Sequence, residues 1–298
     1  MVDWNAERLL FEDLPPPLVP DRGGYTLTMR ECRGAAEALA SLAAGRGPQS
    51  AGPRLHVGWG SFRNLDIVAA RRADAVLLLD INWHQFRVWA ALSEALCRPE
   101  ARTPAALVDL LVPLLPQTPP LRQFARSAHQ WLRGDLERPG SWLWAEDVAG
   151  YEWVRERIRM GCMSTAALDL RGGAAGASHF ARLAARLRLA VEQAGVVPDT
   201  LYVSNLPWMM GLPQGFFGER HSDHGSAGTE PVLQQVHHHL ACLAPLFNWV
   251  VSAARLCDDA TADNLQWETR VLTPEAFLAG DDWLGMANAI RTLGLTRV

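Results

Sequence analysis

LHVGWGSFRNLDIVAARRADAVLLLDINW, residues 55–83, is the stretch that decides the fold. Leu55–Val57 is a short apolar run, and Gly58-Trp59-Gly60 breaks it. From Asn64 to Arg72 the apolar residues Leu65, Val68 and Ala69 recur at helical spacing on one face. Ala75–Leu79 is an unbroken apolar run, as in a strand covered on both sheet faces. Asp80 ends that run, 22 residues after Gly58. In a βαβ nucleotide-binding unit an acid at this distance reaches the ribose hydroxyls. Strand, glycine turn, helix and acid-tipped strand together predict a ligand that carries a nucleoside.

The turn narrows that ligand. A dinucleotide fingerprint needs a third glycine, which lets the helix pack closely beside a pyrophosphate. Here the turn runs Gly58-Trp59-Gly60-Ser61-Phe62-Arg63-Asn64, bulky or polar at every later position. NAD and FAD are disfavoured, and no G-x-x-x-x-G-K-[ST] loop exists to cradle phosphates. A ligand with a ribose and no pyrophosphate fits better, and S-adenosyl-L-methionine is the commonest of these. The alternative is a two-glycine turn and a strand-end Asp that hold no ligand.

Composition excludes other classes. The 298 residues are 49% hydrophobic and 20% charged, with a net charge of −4, which describes an ordered globular chain. That balance argues against a nucleic-acid partner, which calls for a basic excess or stripe. No run of about 18 apolar residues occurs, so no membrane span is expected. The opening MVDWNAERLLFEDL lacks a basic-then-apolar leader pattern, and a cytoplasmic location is expected. Cys32, Cys97, Cys162, Cys242 and Cys257 show no C-x-x-C spacing, which predicts free thiols and neither disulfides nor a zinc site. Twelve Trp stand against three Tyr, four of the Trp within Trp131–Trp153. Most read as core, although a ring face in a cleft also suits a sulfonium or an adenine.

Along the chain, residues 1–50 read as a Pro-rich arm followed by a helix (Arg30–Ala44), together a lid. Residues 51–298 read as one ligand-binding domain with a helical insertion at about 100–147. Helices are expected at His84–Cys97, Thr103–Leu115, Val148–Met160, Ser178–Ala194, Val232–Cys242, Pro274–Phe277 and Gly285–Thr292. Strands are expected at Ser164–Leu170, Leu201–Val203, Phe247–Ala253 and Gln266–Leu272. Strands alternating with helices predict a mostly parallel sheet covered on both faces, with ligands outside the carboxyl ends of the strands. Gly58, Gly60, Asp80, Asp169, Ser204 and Asn205 all fall just past such ends. Each alone also reads as a turn or capping residue.

These residues resemble the class I S-adenosylmethionine-dependent methyltransferase fold, and within it a methyltransferase-like branch. The resemblance rests on Gly58-Trp59-Gly60-Ser61-Phe62-Arg63-Asn64-Leu65, on Leu79-Asp80-Ile81 and on Tyr202-Val203-Ser204-Asn205, and covers roughly residues 50–255. It implies an α/β, Rossmann-like, doubly wound sheet with helices on both faces. It implies that Gly58, Trp59 and Gly60 approach the methionine part of the cofactor, and that Asp80 with Ile81 takes the ribose. Asp169 and Leu170 would lie by the adenine, and Ser204, Asn205 and Asn82 would face the sulfonium and the reacting group. The chain departs from the branch at Asn82-Trp83-His84, where basic residues are usual, and at Leu206-Pro207-Trp208. Both departures fall in the implied pocket.

Other constellations are weaker. His221, His224 and His237-His238-His239, with Asp223, form a His-rich cluster, but its spacing matches no zinc pattern. Successive residues on a helix point about 100° apart, so no metal is assigned. Ser164, Ser204 and Ser222 lack a G-x-S-x-G setting, and Cys162 has an apolar flank, which removes the usual nucleophiles. Asn205-Leu206-Pro207-Trp208 loosely matches the Asn-Pro-Pro-aromatic loop of amine-modifying methyltransferases.

The leading expectation is an S-adenosylmethionine-dependent enzyme that methylates a small molecule by positioning the reactants and excluding water. A second is intramolecular cyclisation of the same cofactor, which releases methylthioadenosine and forms azetidine-2-carboxylate. A third is a non-catalytic binding subunit. A small-molecule substrate is the expected partner, and oligomeric state, a homodimer included, is left open.

Overall fold

A computed structural model describes residues 32–45, 52–80, 83–118, 121–168, 173–204, 229–256 and 267–280 of the chain. Its elements run β1 (Cys32–Arg33), α1 (Ala35–Ala44), β2 (Arg54–Trp59), α2 (Arg63–Arg71), β3 (Ala75–Asp80) and α3 (Trp83–Cys97). Then come α4 (Pro104–Leu111), α5 (Arg122–Asp135), α6 (Val148–Arg159), β4 (Met163–Ala167), α7 (Gly173–Ala194) and β5 (Val197–Ser204). The described part closes with α8 (Thr229–Leu243), β6 (Trp249–Leu256), β7 (Trp267–Leu272) and α9 (Pro274–Ala279).

The strands form one sheet in the order β1-β7-β6-β5-β2-β3-β4. Strands β2 to β6 are mutually parallel, β7 runs antiparallel to β6, and β1 pairs parallel to β7. The chain winds outward from β2 through β3 to β4, then returns to the other side of β2 as β5. Strand order therefore reverses between β2 and β5, and a crevice opens at such a point in an open parallel sheet.

Strand alternation assigns the two faces. Leu55, Val57 and Trp59 of β2 join Ala75, Leu77 and Leu79 of β3 and pack on Phe180, Leu183 and Leu187 of α7 and Val236 and Leu240 of α8. Val76 and Leu78 of β3 point the other way, into a core with Leu65 and Val68 of α2, Val88, Trp89 and Leu92 of α3, and residues of α4, α5 and α6. Helices thus cover both faces of a mostly parallel α/β sheet. Full burial of one such Leu is worth roughly 1.5–3 kcal/mol.

Local signals fix several helix starts. The Thr103 hydroxyl accepts from Ala106 N at 3.2 Å, with Pro104 at the first helical position. Asp147 accepts from Gly150 N at 2.9 Å ahead of α6, and Thr273 accepts from Ala276 N at 3.2 Å ahead of α9.

Several boundaries differ from the sequence expectation, among them strand β6, which runs Trp249–Leu256 and not Phe247–Ala253, and helix α8, which starts at Thr229 and not Val232. Cys32 and Arg33, expected to be helical, pair with Trp267 and Glu268, and α1 begins after Gly34, whose φ of +69° suits glycine. Strand β4 stops at Ala167, short of Asp169. Helix α7 starts at Gly173, ahead of the expected start at Ser178, and takes in Gly176. Strand β5 starts at Val197 and runs through Pro198, and the register with β2 slips between Leu55 and His56, where a residue without an N–H breaks the ladder. The arm at 1–24 and the helix at Gly285–Thr292 lie outside the described residues. No helix among the described residues is long and apolar enough to cross a membrane.

Candidate functional site

Registers place three of the residues singled out in the sequence in one row. Trp59 pairs with Leu79, so Gly60 and Asp80 each lie one residue further along neighbouring strands. Gly58 with Tyr202 is the last pair between β2 and β5; Gly60 follows the end of β2, and Ser204 ends β5 after a register irregularity between Tyr202 and Ser204. Asp80, Gly60 and Ser204 therefore lie at the carboxyl ends of the three adjacent strands β3, β2 and β5. The row straddles the reversal between β2 and β5. Gly60 has φ +83°, a left-handed conformation that a side chain would strain, and both Gly60 and Asp80 are half-buried.

A polar network lies beneath the turn. Asn64, on the first turn of α2, donates from Nδ2 to the carbonyl of Trp59 at 3.1 Å and to that of Ser61 at 2.7 Å. Two carbonyl acceptors fix the orientation of the carboxamide, so Oδ1 faces His56 Nε2 at 3.0 Å and accepts from it. His56 is then the Nε2–H tautomer, and its Nδ1 accepts from the Thr200 hydroxyl at 2.8 Å. The imidazole is fully buried, and burial lowers its pKa from 6.5 to about 4, against opposing contributions from Asn64, Asp199 and Thr200. His56 is a neutral hydrogen-bonding element at neutral pH.

Gly58 belongs to this network. A Cβ there would lie 1.9 Å from Asn64 Oδ1 and 2.9 Å from Tyr202 Cβ. The first glycine of the turn is thus explained by the carboxamide that occupies its side-chain position.

The next shell is aromatic and ionic. The Phe62 ring lies 5.1 Å from Trp89 and 6.1 Å from Trp142, which stacks on Tyr151 at 6.0 Å. Arg63 pairs with Asp66 at 2.8 Å, and the other Asp66 oxygen accepts from Trp142 N at 2.8 Å, tying the turn to the segment before α6. Burial raises the Asp66 pKa and Arg63 opposes it. His84 and Gln85, on the first turn of α3 just past Asp80, are buried. Burial, reinforced by Arg87, lowers the His84 pKa.

Other groups have structural settings. His237 contacts the carbonyl of Leu278 at 3.3 Å and His239 stacks on Phe180 at 4.8 Å, while His238 is exposed. No cluster of potential metal ligands occurs among the described residues. Cys162 is buried, and burial pushes its thiol pKa up, away from reactivity. Trp142 is core, and Trp153 donates to the carbonyl of Ala73 at 2.9 Å with Arg157 over its ring at 4.3 Å. A groove of about 470 Å³ between α1, α2 and residues 139–147 is lined by Ala36, Ala40, Ala70 and Trp144 and by no member of the strand-end row.

Ile81, Asn82, Asp169, Leu170, Asn205, His221 and His224 lie outside the described residues, as does the side chain of Ser204. Sequence reasoning missed the His56–Asn64–Thr200 network because His56 read as part of an apolar run. A signal was present: His56 and Gly58 share one strand face, and a histidine beside a missing side chain calls for a polar partner in that space.

No family model matches the chain, and no curated protein matches it.

Proposed function

We propose that the chain is an S-adenosylmethionine-dependent enzyme acting on a small molecule, by methyl transfer, with a Rossmann-like sheet as its scaffold. The supporting observation is the row Asp80–Gly60–Ser204 at the reversal between β2 and β5. Of the parallel strands, β2 to β6 follow in space as third, second, first, fourth and fifth, the order of nucleotide-binding doubly wound sheets. The donor set fits the cofactor. A carboxylate accepts two charge-assisted hydrogen bonds from a ribose diol, and a glycine at φ +83° beside it allows close backbone approach.

Bound S-adenosylmethionine supplies a sulfonium-activated carbon for attack by a nucleophile. The chain's residues bind, orient and exclude water. Asp80, with Ile81, takes the ribose; the backbone of Trp59 and Gly60 runs beside it, the Trp59 ring being buried in the core; Asp169 and Leu170 take the adenine side. Ser204, Asn205 and Asn82 form the acceptor side, where hydrogen-bond acceptors hold an amine or hydroxyl in line with the carbon. This assignment calls for no acid–base triad.

Calorimetry with S-adenosylmethionine and S-adenosylhomocysteine tests the reading, and the absence of binding to both refutes it. Incubation with S-adenosylmethionine alone, followed for methylthioadenosine, separates the chemistries. Release without an added acceptor would replace methyl transfer by cyclisation of the cofactor.

A further inference from the structure

We infer that Asn64 is a positioning residue of the site: its carboxamide holds the Trp59-Gly60-Ser61 turn in the shape the ligand meets, with His56 and Thr200 as its support. This rests on the cofactor reading above. Asn64 bonds the carbonyls on both sides of Gly60, at 3.1 and 2.7 Å, through one NH₂ group. Glycine is the residue least able to hold its own conformation, so a turn centred on Gly60 needs an external clamp. Asn64 supplies it from inside, and its own freedom is removed in turn. His56 donates to Oδ1 at 3.0 Å, Thr200 fixes the imidazole from β5 at 2.8 Å, and the missing Cβ of Gly58 leaves the passage.

The chain of contacts thus runs from β5, across β2, to the turn. Both strands flanking the crevice set the position of Gly60. All three side chains are buried, so they act on a ligand through the turn and not by touching it.

The test compares wild type with Asn64→Ala, Thr200→Val and Thr200→Ser. It uses amide hydrogen exchange at residues 60–63 and calorimetric titration with S-adenosylmethionine. Asn64→Ala is expected to speed exchange in the turn at least tenfold, with β3 and β6 still protected, and to weaken binding at least tenfold. Thr200→Val, which removes the hydroxyl at constant shape, is expected to weaken binding several-fold, and Thr200→Ser to restore it. A purely structural role would not follow that restoration. Should Asn64→Ala fail to fold, the Val/Ser pair decides alone.

Wild-type exchange at 60–63 in a folded Asn64→Ala overturns the inference. So does a loosened turn that binds with unchanged affinity, or equal binding by the Val and Ser variants. Wild-type protein that does not bind S-adenosylmethionine instead overturns the cofactor reading, and turn exchange alone then decides whether Asn64 is the clamp.

Discussion

Acidification isolates the energetic role of His56. The imidazole is fully buried, and its pKa falls from 6.5 to about 4, mainly because its charged form would be desolvated. In the unfolded chain it takes up a proton near pH 6.5, whereas the folded protein resists doing so until about pH 4. The stability this group contributes is complete above pH 6.5 and drains away as pH falls from 6.5 to about 4. At 1.36 kcal/mol per pKa unit the loss totals roughly 3 kcal/mol, a large share of the margin of a typical domain. Urea unfolding followed by Trp fluorescence between pH 7.5 and 4 measures it, with His56→Gln as the non-titrating reference. His84 and Asp66 also have shifted pKa values, but they titrate in both proteins and cancel in the difference. The wild-type advantage should shrink by roughly 3 kcal/mol over the window. Parallel stability curves, or an NMR midpoint for His56 near 6.5, would refute the buried neutral imidazole.

Three further predictions concern the edge and the core. Asp80→Ala is expected to abolish S-adenosylmethionine binding while leaving the circular dichroism spectrum intact, and unchanged affinity in calorimetry would sink the ribose assignment. Gly60→Ala is expected to cost about 1–2 kcal/mol, because φ +83° places a Cβ in the left-handed region; denaturant midpoints check it. Arg71 grips Asp199 with two bonds, at 2.7 and 2.8 Å, and also donates to the carbonyls of Leu42, at 2.6 Å, and Gly45. Arg71→Met leaves a buried carboxylate with, among the described residues, only Asn248 as a side-chain donor, at 3.3 Å, and is expected to cost about 3–5 kcal/mol. Adding Asp199→Asn should recover part of that loss in thermal unfolding, and no recovery would argue that packing, not charge, holds the site.

Legibility differed by the physics involved. Strands β2 and β3 were readable because burial on both faces leaves apolar runs such as Ala75–Leu79, and Gly58-Trp59-Gly60 punctuates them. The helices α3 and α6 followed from spacing and end signals to within a residue. Pairings were not readable. That Asp80, Gly60 and Ser204 share an edge depends on register between strands more than a hundred residues apart, which no local pattern encodes. The turn was legible and its support was not, because His56, Asn64 and Thr200 lie on three elements and meet only in the fold. At α7 the start differs, since Gly173 and Gly176 are helical despite the weak helix propensity of glycine.

The sheet has a seam with consequences for folding. Strands β2, β3 and β4 come from residues 54–167, and β5, β6 and β7 from residues 197–272; as strands, these two sets pair only where β2 meets β5. His56 meets Thr200 across that seam at a sequence separation of 144, and Arg71 meets Asp199 at 128. Closing a loop of that length costs about 4 kcal/mol of chain entropy before any contact offsets it. The pairing of β2 with β5 is thus the long-range step of the sheet, and two buried polar links fasten it. The strand-end row has Asp80 and Gly60 on one side of the seam and Ser204 on the other. The site therefore needs the β2–β5 pairing to exist at all, and neither set of strands carries the whole of it.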